Sequence, residues 1–355
     1  MIKEKYSHLI IDNSETLIAA LKKMDNERVK LLIVFDSGKY KSLLSIGDIQ
    51  RAIISGKSIQ EEKINTIERH DIVCSTSDNK EVIKKRMVEI RAQFMPILDE
   101  NDNLANIYLW DDIFSEKFDF NNFEKKNFEI PVVIMAGGEG SRLRPLTNII
   151  PKPLIPIGKK TILEKIIDNF CASGFYTFYV SINYKSHMIE SYFKNLEVKN
   201  YDLHFFKEDE PKGTAGSLSL IRDKINTPFF VSNCDILIEQ DYNEVFAYHQ
   251  EQKNDITAIA AVKNFKLPYG SFEMNKQGVI TNILEKPEFT FYVNAGMYII
   301  EPHLLEEIPD SGIFHITELI TGTMKKGGKV GIFPVSEKSW IDIGDWNLYE
   351  KLLKE

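Results

Sequence analysis

At 355 residues, with 43% hydrophobic and 27% charged residues, the chain is long enough for two or three domains that each bury a core. Its formal net charge of −8 excludes a general nucleic-acid binder, which needs a basic face, but still allows a small phosphorylated ligand held by a few local Arg and Lys. No apolar run approaches the ~20 residues that cross a bilayer, and the charged start MIKEKYSH lacks the apolar stretch of a secretion signal. Cys74, Cys171 and Cys234 have no metal-type spacing, so a cytoplasmic protein with reduced thiols and no membrane partner is expected.

The first third contains two similar segments. His8 to Asp12 reads as extended, Ser14 as the N-cap of a helix carrying Leu17, Ile18, Leu21 and Met24, and Leu31 to Phe35 as a buried strand. A turn at Asp36-Ser37-Gly38 leads to a strand at Leu43–Ile46 and a helix from Gly47-Asp48-Ile49. The order then repeats. Asp71 to Cys74 is extended, Ser77 caps a helix with Val82, Ile83, Met87 and Ile90, and strands at Phe94–Leu98 and Leu104–Leu109 end in Trp110-Asp111-Asp112-Ile113. Aligning Asp48 with Asp112 gives a period of 112 − 48 = 64 positions, the mark of a duplicated unit.

This β-α-β-β-α order, with an acid opening the last helix, resembles a tandem pair of CBS (cystathionine β-synthase-type) modules over 1–125, in copies of about 1–62 and 63–125. The resemblance implies a regulatory nucleotide held through Ser45, Asp48 and Asp112, with Asp48 on ribose hydroxyls, and a homodimer. The second copy has Leu109 where a small hydroxyl residue is expected. The alternative is a structural or dimerising module with no ligand.

Phe114 to Asn127 reads as a tether, with a linker at 126–130, before Pro131 opens a new domain at 131–355. Strand-like and helical runs then alternate (Val132–Met135, Leu163–Ser173, Phe178–Ile182, His187–Lys194, Leu203–Phe206, Ser217–Ile225, Phe229–Ser232), which predicts a mainly parallel, Rossmann-like α/β sheet with crossover helices. The strand Val132–Met135 feeds Ala136-Gly137-Gly138-Glu139-Gly140-Ser141-Arg142, where backbone N–H groups can approach an anion and Arg142 adds a planar charged fork. A dinucleotide fingerprint fails because Leu143 stands where a third glycine is needed, and no Gly-Lys-Ser/Thr follows for a Walker loop. Pro151 and Pro153 hold Lys152 on fixed, extended backbone and aim its ammonium. An acid at the end of the Phe229–Ser232 strand, Asp235, suits Mg²⁺, which takes one or two carboxylates plus phosphate oxygens.

Together G-G-x-G-S-R-L-x-P-L-T and P-K-P-L-I-P-I resemble the signature of sugar-phosphate nucleotidylyltransferases, with Ser141 where the family usually has Thr. The resemblance covers 131–355 and implies joining of a nucleoside triphosphate to a sugar-1-phosphate with Mg²⁺. It makes Arg142, Lys152, Asp235 and Asp342 catalytic, with Asp235 and Asp342 as the metal pair and Asp345 structural. Ala136, Gly137, Gly138, Gly140, Ser141 and Arg142, with Gly213 and Thr214 of a G-T-A-G turn, would bind the nucleotide. Gly270, Glu285, Lys286 and Asn294 would bind the sugar phosphate. His315 is read as a packing residue, since an anionic sugar phosphate needs no general base. A CBS pair before such a domain is similar to the glucosamine-1-phosphate guanylyltransferases of legionaminic acid biosynthesis, implying GTP and glucosamine-1-phosphate for a nonulosonic-acid or surface-glycan precursor. Mannose-1-phosphate guanylyltransferase is the alternative. A non-catalytic nucleotide sensor is the reading from another class, opposed by the presence of all five of Arg142, Lys152, Asp235, Lys286 and Asp342.

Overall fold

Strands buried on both faces need helices on either side, and the chain supplies both in a computed structural model describing residues 5–67, 73–89, 92–101, 103–114, 128–196, 200–344, 346, 349 and 350. The expectations for Asp71, Ile90, Asp345 and residues 115–127 of the tether lie outside the described residues.

The first repeat comprises β1 (Ile10–Asp12), α1 (Leu17–Glu27), β2 (Leu31–Asp36), β3 (Lys39–Ser45) and α2 (Ile46–Ile54). The second comprises β4 (Cys74–Ser75), α3 (Lys80–Glu89), β5 (Phe94–Leu98), β6 (Leu104–Leu109) and the short α4 (Trp110–Ile113). In each copy the first two strands pair parallel and the next two antiparallel. Each has a register shift at the same place, between Val34 and Phe35 and between Ile97 and Leu98. Ile46 N donates to Lys30 O, and its counterpart Trp110 N donates to Gln93 O, both at 2.9 Å. Two caps differ from expectation. Thr16, not Ser14, caps α1 by accepting from Ala19 N at 3.3 Å, because Ser14 donates N–H and O–H to Asp12 Oδ1 instead. Asn79, not Ser77, accepts from Val82 N at 3.0 Å, while Ser77 is turned to Ser75.

The residues fall into two compact units. Unit 1 is Met1–Phe118 with Ala260–Val293 and Pro334–Glu337; unit 2 is Asp119–Ile259 with Asn294–Phe333 and Lys338–Glu355. The units therefore do not follow the linear division at 125 and 131. In unit 1, Val262 joins the core of the first repeat with Ile18, Leu21, Ile49 and Ile53. Lys22 pairs with Glu288, Gln60 Nε2 donates to Thr290 Oγ1 at 2.8 Å, Gln50 Nε2 donates to Pro334 O at 2.9 Å, and Ser336 Oγ donates to Asp25. The two repeats share a second core, in which Ile33, Phe35 and Leu43 lie with Phe94, Met95 and Ile97.

The central sheet is built on β7 (Val132–Met135). A hairpin, β8 (Pro156–Ile157) and β9 (Lys160–Thr161), leads to α5 (Ile162–Ala172), β10 (Thr177–Ile182), α6 (Ser186–Lys194) and β11 (Asp202–Lys207). Then come the four-residue α7 (Gly213–Gly216), β12 (Phe229–Asn233), β13 (Ile236–Ile238), α8 (Tyr242–Gln252) and β14 (Ile256–Lys266). A two-stranded hairpin, β15 (Ser271–Met274) and β16 (Ile280–Leu284), is followed by β17 (Glu288–Ile300), α9 (Ile316–Lys325), β18 (Val330–Ser336) and β19 (Trp340–Asp342). The seven-stranded order is β11-β10-β7-β12-β17-β14-β18. The pairings β11/β10, β10/β7 and β7/β12 are parallel and β12/β17 is antiparallel, so the mainly parallel α/β sheet expected is present over β11 to β12, with an antiparallel pairing added at β17. Rings of Phe170, Phe175, Phe178, Phe230 and Tyr242 pack at centroid distances of 4.4 to 6.3 Å, mostly edge-on. Cys74, Cys171 and Cys234 are buried and form no disulfide among the described residues. Among the described residues no helix is long and apolar enough to cross a membrane.

One buried polar group ties stability to pH. His249 on α8 sits 2.8 Å from Thr257 Oγ1 and 3.2 Å from Glu301 Oε1, and burial lowers its pKa against a smaller raising effect of Glu301. A folded pKa below the unfolded ~6.5 means the unfolded chain takes up the proton first. His249 should therefore reduce stability progressively below about pH 6.5 and not above it. Melting curves should show a steeper acid loss for the native chain than for His249→Gln; parallel curves would refute this.

Candidate active site

The first determinant is where the parallel strands end. β7 delivers Ala136, buried, whose N–H donates to Ser181 O and Ser181 Oγ, both at 3.1 Å, fixing the start of the glycine loop beside β10. Gly140 has φ +66°, and a Cβ there would lie 2.9 Å from Thr147 Cγ2 and 3.0 Å from Lys152 Cβ. A side chain at 140 would thus be strained and would push against the lysine. Thr147, itself buried, donates through Oγ1 to Gly140 O at 3.0 Å, so the loop and the segment leading to Lys152 are joined. Ser141–Leu143 form a 3-10 turn that carries Arg142.

Lys152 is only 8% exposed and opens a 3-10 turn, Lys152–Leu154, after the extended Pro151. The extended backbone expected at Lys152 itself is a turn, yet the outcome for the side chain is the same: its ammonium is aimed at the Asp235 carboxylate and ion-pairs with it. Asp235 follows β12 and is 6% exposed. Directly after it, β13 pairs antiparallel with β19, with Ile236 opposite Asp342, and Ile343 N donates to Asp235 O at 2.8 Å. That pairing carries Asp342 to Asp235. Arg142 closes the group, with Nη2 3.4 Å from Asp235 Oδ2 and Nη1 3.8 Å from Asp342 Oδ2.

Gly344, which the sequence reading passed over, is what makes room for them. A Cβ at this position would lie 2.6 Å from Asp235 Oδ2, 2.8 Å from Asp342 Oδ1 and 2.8 Å from Arg142 Nη2. Two carboxylate oxygens thus face one small space beside the Arg142 guanidinium, and as hard oxygen donors they fit a divalent cation completing its shell with water and phosphate. Beside them, burial and, second, the Asp235 charge push the Cys234 thiol up to about 12, so it is no nucleophile.

The remaining expected residues make the following contacts. The G-T-A-G turn is held by the segment before α9: Ala215 N and Gly216 N donate to Phe314 O at 3.1 and 3.0 Å, and Thr214 Oγ1 accepts from Ile316 N at 3.0 Å. Those two amides serve the fold. His315 is exposed rather than packed; it is the N-cap residue of α9, with Nδ1 3.5 Å from Thr214 Oγ1. Gly270, Glu285 and Lys286 belong to unit 1, where a Cβ on Gly270 would be 3.0 Å from Glu285 Oε2 and Lys286 has φ +45°. Asn294 belongs to unit 2, its Oδ1 accepting from Gly296 N at 3.0 Å and Tyr298 Oη at 2.8 Å. In the repeats, Asp48 is buried, takes N–H and O–H of Ser45 at 2.8 and 2.6 Å, and pairs with Arg51; Asp112 is exposed and takes Leu109 N at 2.9 Å.

A parallel sheet whose strand ends gather a glycine loop, two cations and two carboxylates defines an α/β domain that manages phosphate charge. Comparison with known proteins specifies the kind. The chain belongs to the nucleotidyl transferase family, which residues 131–355 match. It is 32% identical over 223 residues to the mannose-1-phosphate guanyltransferase of Schizosaccharomyces pombe, covering 60% of each chain. It is 35% identical over 184 residues to that of Yarrowia lipolytica, covering 50% of each. The chain thus spans 60% or less of the length of these relatives. Among solved structures it is similar to HddC from Yersinia pseudotuberculosis, with TM-score 0.50, 29% identity and coverage of 63% of this chain and 98% of that one. A putative glucose-1-phosphate thymidylyltransferase from Bacillus anthracis, at TM-score 0.50 and 20% identity, shares the fold.

Proposed function

We propose that the chain transfers a nucleotidyl group from GTP to a sugar-1-phosphate, releasing pyrophosphate, with glucosamine-1-phosphate as acceptor. The convergence of Lys152, Arg142, Asp235 and Asp342 around Gly344 carries this reading. A sugar-phosphate oxygen attacks the α-phosphorus, the new P–O bond forms as the bond to the bridging oxygen breaks, and that electron pair leaves on pyrophosphate. Two anions must meet, so the work is positioning and charge neutralisation. Arg142 screens the leaving phosphates, and Lys152, held by Asp235, is directed between donor and acceptor. A divalent cation held by Asp235 and Asp342 would supply further charge neutralisation on the triphosphate.

The choice of guanine rests on Glu208, a residue absent from the sequence expectations. It follows β11, and its Oε1 lies 2.7 Å from where a Cβ on Gly137 would be, while its Oε2 accepts from Lys212 N at 3.3 Å. A carboxylate beside the glycine loop matches guanine, whose N1–H and N2–H₂ donate side by side, and repels the flanking carbonyls of uracil or thymine. Mannose-1-phosphate is the second acceptor reading, favoured by the names of the similar curated proteins. We read the repeats as a CBS pair, supported by their duplicated order, with a regulatory nucleotide altering turnover.

Pyrophosphate release with Mg²⁺ across the four nucleoside triphosphates and a sugar-1-phosphate panel tests all of this. Activity with GTP and glucosamine-1-phosphate above mannose-1-phosphate supports the first reading, and the reverse order the second. A folded chain silent across the panel, with or without added AMP and ATP, would refute the activity.

A further inference from the structure

The turn between β10 and α6 carries a lysine on unusual backbone. Asn183-Tyr184-Lys185 leaves the C-terminal end of β10, beside the glycine loop that leaves β7. Tyr184 N donates to Gly137 O at 3.4 Å, which ties the turn to that loop. Lys185 has φ +51°, a left-handed conformation disfavoured for a residue with a Cβ. Glycine or asparagine would adopt it at less cost, so the lysine calls for a reason in its side chain.

That reason lies on the neighbouring loop. A short helix ends in carbonyls that its own amides cannot reach, and a nearby lysine can satisfy them. Leu146–Asn148 is such a 3-10 turn. Lys185 Nζ donates to Asn148 O at 2.5 Å, to Ile149 O at 2.8 Å and, more weakly, to Thr147 O at 3.5 Å. Tyr184 Oη adds a fourth bond, to Thr147 O at 3.2 Å. The side chain of Ile149 is 73% exposed and does little to anchor the segment. The segment then runs directly into Lys152. Thr147 Oγ1 bonds Gly140 O, and Thr147 Cγ2 and Lys152 Cβ both lie within 3.0 Å of where a Cβ on Gly140 would be. Holding Thr147 therefore fixes how Lys152 sits against the glycine loop.

We propose that Lys185 is a positioning residue, setting the placement of the Lys152 ammonium through the carbonyls of 147–149 without itself touching substrate. The proposal rests on the transferase reading above. A misplacement of ~1 Å caused far from the chemistry can cost ~10²-fold in rate. Loss of such positioning is felt in the transition state, so it shows in turnover more than in ground-state binding.

Steady-state pyrophosphate release by the full chain tests this, with GTP and whichever of glucosamine-1-phosphate and mannose-1-phosphate the native chain uses. Lys185→Met should lower kcat by ~10–10²-fold, with a much smaller change in KM for GTP. Lys185→Arg should recover most of the loss, because a guanidinium also donates to several carbonyls. Tyr184→Phe removes one of the four bonds and should lower kcat less, in the same direction; it serves as the test if Lys185→Met does not fold. A raised KM for GTP at unchanged kcat would make Lys185 a nucleotide contact and overturn the proposal. A lowered melting temperature with both constants native would reduce it to a loop tie and overturn it too, as would a kcat deficit that arginine does not repair. A native chain silent across the substrate panel overturns the transferase reading and this proposal with it. An active native chain whose variants turn over normally overturns this proposal alone.

Discussion

Lys152→Met is expected to lower the rate of pyrophosphate release by ~10²–10³-fold, the scale of removing one preorganised electrostatic stabiliser. The side chain is 8% exposed and salt-bridged to Asp235, so its charge acts in a space from which water is largely excluded. An ammonium in that position lowers the cost of bringing two anionic phosphates together, which methionine, similar in volume, cannot do. Removing it also leaves the Asp235 carboxylate without its nearest cation, so Asp235→Ala should cause a loss of the same order by a different route. Both variants should still fold, as circular dichroism would show, although each leaves a buried charge without its partner and should lower the melting temperature. Single-turnover measurements check this. Near-normal turnover in both, in folded protein, would remove Lys152 and Asp235 from the chemistry.

Glu208→Gln is expected to reduce the preference for GTP over UTP by ~10²-fold, through loss of one acceptor for the guanine edge and gain of an amide donor suited to a carbonyl. The effect should fall on the specificity ratio more than on turnover with GTP at saturation. The backbone of this segment is held independently of the carboxylate: Glu208 N donates to Ile182 O at 3.1 Å and Asn183 Nδ2 donates to Glu208 O at 2.7 Å. The substitution therefore alters recognition without loosening β11. Competition between GTP and UTP in one reaction gives the ratio directly, and an unchanged ratio would assign base choice elsewhere.

The phosphate-handling residues were legible because their chemistry is local. A glycine loop after a buried strand, a lysine between prolines and an aspartate at a strand end each have meaning at short range, and Arg142, Lys152, Asp235 and Asp342 do converge. The duplicated first third was equally legible, since its period survives in both hydrophobic pattern and register. Helix caps were placed two residues early in both repeats, because Ser14 and Ser77 lie beside competing turn partners that only the folded backbone selects. Glu208 sits in the acidic run Glu208-Asp209-Glu210, which reads as a solvated edge until Gly137 is seen beside it. Gly344 shows nothing in sequence of the three charged groups it accommodates. The compact units were illegible for a similar reason. The burial of Val262 depends on helices more than 200 positions earlier in the chain.

That valine limits how the parts could be exchanged. Residue 262 lies inside the segment that matches the transferase family, yet it is 2% exposed within the core of the first repeat. A finished N-terminal module joined to a finished enzyme would meet a surface suited to contact with water. Here the strand offers a valine, Glu288 offers a carboxylate to Lys22, and Ser336 a hydroxyl to Asp25. The repeats and these strands share one core and its ion pair, so exchanging the module for one from another protein would require changing Val262, Glu288 and Ser336 with it.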